Sequence, residues 1–269
     1  MLPGEGLAAR EHAFSPSRWA RDFEATLDRQ AALGERLRES HPPKRLVYGT
    51  GPQEGLNLFV PEGEGPWPLM VFLHGGYWQE LSAFAIDFMA FHWLKQGWAF
   101  ASMDYPLAPN ASIETMVASC RQGVKALHRE SNSLGLNGRI HLGGHSAGAQ
   151  LALMSCLGPE RLSGIESLLL ASGIYDLRPL VGTYIDAPLG LDTERAERLS
   201  PLCQALQGLP PLQLVHGEFD PPAFRAQGQT LKAMAQVAGV EAELCTRPEC
   251  DHFDVIEYIN TSFMFFNNK

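Results

Sequence analysis

The sequence predicts an α/β protein with a mostly parallel central sheet and helices on both of its faces. Short apolar segments recur along the chain, and patterns typical of amphipathic helices separate them. Such alternation indicates parallel strands joined by crossover helices. The segment "LMVFLHGG", residues 69–76, is almost entirely apolar, as expected for a strand that is buried on both faces. The length of 269 residues fits a single domain over residues 1–269.

A helical extension, residues 1–40, is predicted before the sheet. The helix itself is expected over residues 15–39, because Ser15 is a candidate N-cap and Pro16 would occupy the first helical position. The following "HPPKR" ends it. The first two strands are expected in "RLVYG" and "LNLFVP", which turn residues separate from the rest of the chain.

The remaining elements alternate between strand and helix. A helix is predicted over residues 112–130, where apolar residues recur at spacings of three and four. The segment 179–207 is rich in proline, glycine and charge, which predicts a small cap or lid over the site. Further strands are predicted in "WAFASMDY", "RIHLGGHS", "SLLLASGIYD" and "LQLVHGEFD".

Composition excludes several classes of function. Hydrophobic residues make up 45% of the chain and charged residues 19%, and the net charge is −9. This charge opposes binding to nucleic acid or to an anionic membrane surface. We therefore expect a small-molecule substrate and neither of those partners, and the sequence leaves a homodimer open.

Cysteine usage and the absence of targeting patterns favour a cytoplasmic protein. The five cysteines form an odd set without a C-x-x-C pair, so no disulfide framework is indicated. No apolar secretory segment and no stretch long enough to span a membrane is evident. Metal-binding and dinucleotide-binding motifs are also missing, so we expect no cofactor and no metal.

The stretch Gly144-His145-Ser146-Ala147-Gly148 matches G-x-S-x-G between a predicted strand and a predicted helix. This context is typical of a nucleophile elbow, in which small neighbours allow the strand and the helix to approach closely. Ser146 is therefore the predicted nucleophile. For the pentapeptide alone, an unreactive turn between strand and helix remains the alternative.

The stretch "HGGYW", residues 74–78, follows the most apolar strand. A Gly-Gly turn can direct backbone N–H groups at a developing oxyanion, and the residue after the nucleophile supplies a further donor. Gly76, Tyr77 and Ala147 are the predicted oxyanion hole. The aromatic side chains of Tyr77 and Trp78 are expected to form part of the wall of the substrate pocket.

Asp220 follows a buried strand, and His252 lies in the loop after the next strand. The chain order serine, aspartate, histidine is the order of one known triad arrangement. His252 is the predicted general base, and Asp220 the residue that orients it.

Other acids and histidines near strand ends are weaker candidates. The acids are Asp176, Asp251 and Asp254, and Asp104 is expected to tie down a neighbouring loop by hydrogen bonds. His74, His145 and His216 are expected to stabilise loops through hydrogen bonds rather than to catalyse.

Four segments together, "HGGYWQ", "GHSAGAQL", "SGIYDLRPL" and "DHFDVIE", resemble the kynurenine formamidases (arylformamidases), α/β-hydrolase-fold relatives of the hormone-sensitive-lipase-like esterases. The resemblance runs from about Leu46 to Ile259. It implies the α/β-hydrolase fold and a triad on Ser146, Asp220 and His252. It also implies hydrolysis of N-formyl-L-kynurenine to formate and kynurenine, a step of tryptophan breakdown.

At two positions outside the triad the sequence departs from the family pattern. These departures bear on which substrate is bound more than on the type of reaction. Gln150 stands where family members often have histidine, and Pro221 stands where they often have serine. A carboxylesterase, amidase or carbamate hydrolase with another small acyl substrate is therefore an alternative, because the same machinery attacks any accessible acyl carbonyl. A hydrolase fold without catalysis that acts as a binding protein is the second alternative.

Overall fold

The computed structural model describes residues 6–263. One sheet of eight strands, in the order β1-β2-β4-β3-β5-β6-β7-β8, forms the centre of the molecule. Strands β3 to β8 run parallel, whereas β1 and β2 pair antiparallel with their neighbours. The strands are β1 Lys44–Val47, β2 Gly55–Phe59, β3 Trp67–Leu73, β4 Ala99–Met103, β5 Leu136–His145, β6 Ile165–Ala171, β7 Leu212–Gly217 and β8 Ala242–Arg247.

Helices cover both faces of this sheet. They are α1 Leu7–Ala13, α2 Phe23–Ser40, α3 Ala90–Leu94, α4 Ile113–Glu130, α5 Ala147–Ser155, α6 Thr193–Arg198 and α7 Pro222–Val237. Helices α4, α5 and α7 contribute to one apolar core, and α2 and α3 contribute to a second core on the opposite face. No helix among residues 6–263 combines the length and the apolar character that a membrane span requires.

Strand β3 shows why the sheet lies in the middle of the molecule. Leu69, Val71 and Leu73 pack into the first core, and Met70 and Phe72, which alternate with them, pack into the second. All five are fully buried. Because successive side chains of a strand point to opposite faces, an unbroken apolar segment requires cover on both. The predicted α/β architecture is confirmed.

The predicted helix over residues 15–39 begins later than expected. A 3₁₀ turn occupies Pro16–Arg18, and α2 starts at Phe23 after Asp22, whose carboxylate accepts a hydrogen bond from the Ala25 N–H at 3.0 Å. Ser15 does not cap a helix, because its hydroxyl donates to the Glu11 carbonyl at 2.5 Å. The predicted helix over residues 112–130 is confirmed as α4.

Candidate active site

Ser146 lies in a strained turn between β5 and α5. Its φ is 55° and its ψ is −117°, and its N–H donates to the Ala171 carbonyl of β6 at 2.8 Å. A residue with a Cβ pays conformational energy at positive φ, and such strain persists where the surroundings hold it in place. The serine is thus presented at the carboxyl end of the sheet, where parallel sheets bind ligands.

Close backbone packing explains the two glycines that flank this turn. A Cβ on Gly144 would lie 2.3 Å from the carbonyl carbon of Gly148. A Cβ on Gly148 would lie 2.3 Å from the Leu73 carbonyl oxygen at the end of β3. Both distances are far below van der Waals contact, so no side chain fits at either position.

The loop after β3 places backbone donors beside Ser146. A Cβ on Gly75 would lie 3.3 Å from the Ser146 Cβ, and the next two residues, Gly76 and Tyr77, have φ of 97° and 48°. Their N–H groups, and that of Ala147, donate to no acceptor within residues 6–263. The first N–H groups of a helix have no partner within it, and unpaired N–H groups at this place can bind an oxyanion.

Asp220 and His252 form a buried hydrogen-bonded pair. The His252 Nδ1–H donates to Asp220 Oδ1 at 2.7 Å. The other carboxylate oxygen accepts from the Ser172 hydroxyl at 2.5 Å and from the Gly217 N–H at 2.9 Å. Burial alone would raise the pKa of Asp220, but the charge and hydrogen bond of His252, with these two donors, lower it below its usual value. Asp220 is therefore ionised beside the imidazole.

The other histidines of the site make structural hydrogen bonds, as predicted. The His145 Nε2–H donates to the His252 carbonyl at 2.8 Å, and the His74 Nδ1–H donates to the Gly75 carbonyl at 2.8 Å. His216 Nε2 bonds to the Thr246 hydroxyl at 2.7 Å. Burial lowers the pKa of His145 to about 3 and that of His74 to about 4, so both rings are neutral near pH 7.

The competing acids have other partners. Asp176 pairs with the Arg178 guanidinium at 2.8 Å, and Asp251 accepts from the Phe253 N–H at 2.8 Å. Asp254 accepts from the Asp251 N–H at 2.8 Å. The predicted structural role of Asp104 is confirmed, because its carboxylate accepts from the Ala83 N–H and the Arg45 guanidinium, each at 2.6 Å.

Ser146 and His252 both line one cavity of about 450 Å³. Ser146, His252, Gly76 and Tyr77 line it together with apolar residues from several elements. A buried serine hydroxyl, an oriented imidazole and unpaired N–H groups on one cavity are the parts of an acyl-transfer site. The apolar lining consists of Phe23, Leu27, Leu81, Ala85, Ile86, Ile185, Phe253 and Ile256.

Two chain segments cover this cavity, the N-terminal residues 6–40 and the segment 179–207. We call these two segments together the cap. The Arg10 guanidinium donates to the carbonyls of Pro179 and Val181 at 2.9 and 2.7 Å. The hydroxyls of Ser15 and Tyr184 are 2.7 Å apart. The two parts of the cap therefore hold one another over the cavity. Whether segment 179–207 moves as a lid stays a prediction.

The prediction that Trp78 lines the substrate pocket is wrong. Its side chain is fully buried in the first core, and its Nε1–H donates to Gln150 Oε1 at 3.0 Å. Positive φ at both Tyr77 and Trp78 turns the chain so that the indole points inward, while Tyr77 lines the cavity. Gln150 also donates to the Leu199 carbonyl at 2.9 Å, so it joins the loop after β3 to the cap.

The site contains residues that were not predicted from the sequence, among them Phe23, Leu27 and Ser172. Phe23 and Leu27 lie one helical turn apart on α2 and face the cavity. Their spacing of four residues predicts an apolar face on this helix, but it does not indicate which part of the protein that face covers. Ser172, which hydrogen-bonds Asp220, has a φ of 46° directly after β6. Its position at the end of a buried strand was the available signal.

Comparisons with known proteins identify the family of this chain. The BD-FAE family profile matches residues 56–169. A kynurenine formamidase of Salmo salar is 32% identical, with 93% of this chain and 90% of that protein covered. The chain belongs to the kynurenine formamidase family. The fold is the α/β-hydrolase fold.

More distant relatives of this chain are esterases. The isoprenylcysteine alpha-carbonyl methylesterase ICME of Arabidopsis thaliana is 27% identical, covering 79% of this chain and 56% of that protein. The crystal structure of a candidate thioesterase from Silicibacter sp. superposes with a TM-score of 0.80 at 29% identity. That alignment covers 92% of this chain and 93% of the other. The fold therefore extends over nearly the whole of both chains.

Proposed function

We propose that the protein is a serine hydrolase of aryl formamides that converts N-formyl-L-kynurenine to L-kynurenine and formate. The observation that carries this proposal is that His252, hydrogen-bonded to Asp220 at 2.7 Å, lines the same cavity as the strained Ser146. Membership of the kynurenine formamidase family supports the substrate. No cofactor is part of the proposal.

In the first half of the reaction, the Ser146 hydroxyl attacks the formyl carbon and passes its proton to His252 Nε2. Asp220 holds the imidazole through Nδ1 and stabilises the imidazolium that forms. The N–H groups of Gly76, Tyr77 and Ala147 bind the oxyanion of the tetrahedral intermediate. One such donor contributes about a hundred- to thousandfold to turnover.

The intermediate collapses when His252 protonates the aryl nitrogen, which leaves as the amine. The formyl group remains as an ester on Ser146. His252 then removes a proton from water, the hydroxide attacks this ester, and formate leaves as Ser146 takes back its proton. A formyl group needs little space, so most of the cavity is left for the aryl side.

The apolar wall from α2 and the histidine loop suits the aryl ring. Phe23 and Leu27 lie on α2, and Phe253 and Ile256 follow His252 in the chain. Phe23 and Phe253 also pack together, with ring centroids 5.5 Å apart. Binding of a flat apolar substrate here is stabilised in proportion to the apolar area removed from water.

A carboxylesterase, amidase or carbamate hydrolase is the second candidate, and the relation to a methylesterase favours it. The same serine, histidine and oxyanion donors would cleave a short acyl ester. A non-catalytic binding protein is the third. The strain at Ser146 argues against it, because strained residues cluster at functional sites.

The assay that tests the proposal compares N-formylkynurenine with phenyl acetate and a phenyl carbamate. We expect the highest kcat/KM on the formamide, with formate and amine released in equal amounts. Ser146→Ala should lower that value by at least about a thousandfold while the protein stays folded. Esterase activity without formamide cleavage would support the second candidate, and no turnover of any substrate would support the third.

We also propose a reducing, cytoplasmic compartment and a small molecule as the partner. All five cysteines are unpaired, and neither disulfides nor a metal are needed by the mechanism. Electrophoresis of the protein from cells under non-reducing conditions should show one reduced species. A disulfide-bonded species in freshly prepared protein would contradict this.

A further inference from the structure

The charges around the catalytic cavity are unbalanced. Glu80 lines the cavity, whereas no lysine or arginine is among its lining residues in the described part of the chain. The His145 ring does not compensate, since burial lowers its pKa to about 3 and so keeps it neutral near pH 7. Asp220 adds a further negative charge behind His252. The cavity therefore presents a negative potential to a substrate.

Glu80 is fixed close to the predicted oxyanion loop. The Gly76 carbonyl accepts from the N–H groups of Gln79 and Glu80 at 2.9 and 3.1 Å, which closes one turn. A Cβ on Gly76 would lie 3.1 Å from the Glu80 Cγ. The Glu80 side chain thus leaves the backbone directly beside the donors that flank Ser146.

The Glu80 carboxylate is available for a ligand. The residue is exposed, and its carboxylate makes neither an ion pair nor a hydrogen bond with any residue in the range 6–263. The residues that follow it on the cavity wall, Leu81, Ala85 and Ile86, are apolar. An unpaired carboxylate beside these apolar residues favours a cation and repels an anion.

We propose that Glu80 is a specificity-determining residue that binds the ammonium group of an aryl formamide substrate, and that the site does not require a substrate carboxylate. This inference rests on the proposed function. In N-formylkynurenine the ammonium and the carboxylate share one carbon, far from the formyl group. Glu80 attracts the first and repels the second, and no lysine or arginine among the described lining residues offsets that repulsion. The substrate class is therefore cationic ortho-formamidophenyl ketones, including those without a carboxylate.

The expected effect is moderate, because Glu80 is accessible to solvent and salt screens its charge. Between a neutral and a cationic substrate we expect a gain of about two- to fivefold in kcat/KM, which corresponds to the range of one partly exposed ion pair. The preference should also shrink as the ionic strength rises.

Four formamides on the same ortho-formamidophenyl ketone test this inference. They are N-formylkynurenine, its decarboxylated amine, its deaminated keto acid and neutral ortho-formamidoacetophenone. In the parent protein we expect kcat/KM to be highest for the amine and lowest for the keto acid. Glu80→Gln should lower the ratio of amine to neutral kcat/KM by about two- to fivefold and raise the ratio of keto acid to neutral.

Glu64→Gln is the matched control, since it removes the same charge from the exposed turn between β2 and β3. It should leave every ratio as in the parent. The inference is overturned if the parent shows no preference for the amine, or if Glu80→Gln lowers kcat/KM equally for all four formamides. Failure of the proposed function looks different: the neutral formamide would not be cleaved at all while phenyl acetate is, and both proposals would fall.

Discussion

The loops at the carboxyl ends of the strands and the cap are held in place in different ways. In the loops, backbone lies against backbone: Gly144 and Gly148 each sit where a Cβ would meet a backbone atom at 2.3 Å. In the cap, side chains make the contacts, such as those of Arg10 to two carbonyls. Backbone packing allows few substitutions, whereas side-chain contacts allow many. From this difference we expect substitutions in these turns to impair the reaction itself, and substitutions in the cap to change mainly how the substrate is bound.

The largest predicted effect lies in the loops. Asp220→Asn keeps the shape of the side chain but offers His252 Nδ1 an amide in place of a carboxylate. We expect kcat to fall about 10³- to 10⁴-fold, because the imidazole loses its correct tautomer and the charge that stabilises the imidazolium. Steady-state kinetics with a circular dichroism control measure this. A loss below tenfold would show that Asp220 does not orient the base.

Acid should destabilise the folded protein, because three buried histidines lie in or next to the strands of the sheet. Burial lowers the pKa of His74 and His141 to about 4 and that of His145 to about 3. Below about pH 6.5 the unfolded chain binds protons that these rings do not bind in the folded state. The free energy of unfolding therefore decreases as the pH is lowered. Between pH 7 and 4.5 we expect a loss on the order of 5 kcal/mol, measured by urea unfolding.

A pair of substitutions locates the origin of that loss. His141→Phe removes a buried ring whose Nε2 has no partner in the described structure, and it should make the dependence of stability on pH shallower. His92→Phe, at an exposed position, should not change the slope. Equal slopes in both variants and the parent would contradict the assignment to buried histidines.

In the cap, Leu27→Ala tests the apolar wall. We expect KM for the aryl formamide to rise about fivefold with kcat little changed, because the methyl groups removed contact the ring and not the reacting atoms. Leu33→Ala, on the same helix but away from the catalytic cavity, is the control. A fall in kcat without a change in KM for Leu27→Ala would place this part of the cap in the catalytic machinery.

The smallest predicted effect on catalysis concerns Tyr77, where the loop after β3 contacts the cap. The Tyr77 hydroxyl donates to the Phe14 carbonyl, and the Tyr77 N–H is a proposed oxyanion donor. Tyr77→Phe should lower kcat about threefold with KM unchanged, because the amide is held less firmly. Tyr258→Phe, on the exposed surface, is the control. A change in KM alone would mean that the hydroxyl binds substrate.

The same contrast explains what could be predicted from the sequence. The strands, α4 and the elbow follow from local patterns: apolar segments, spacings of three and four, and G-x-S-x-G after a strand. The cap depends on tertiary contacts that no local pattern records. Ser15 has a helix-capping side chain but uses it elsewhere, so α2 starts at Phe23. Trp78 points into the core because of two successive residues at positive φ, which its neighbours in sequence do not reveal.

Labelling with a fluorophosphonate probe tests most directly the claim that Ser146 is an activated nucleophile. The account predicts one adduct, on the peptide that contains Ser146, formed rapidly by the parent. His252→Gln should slow its formation by at least about a hundredfold, because general-base assistance is lost. Absence of an adduct on Ser146 in the active protein, or equal labelling rates in the parent and His252→Gln, would contradict the account.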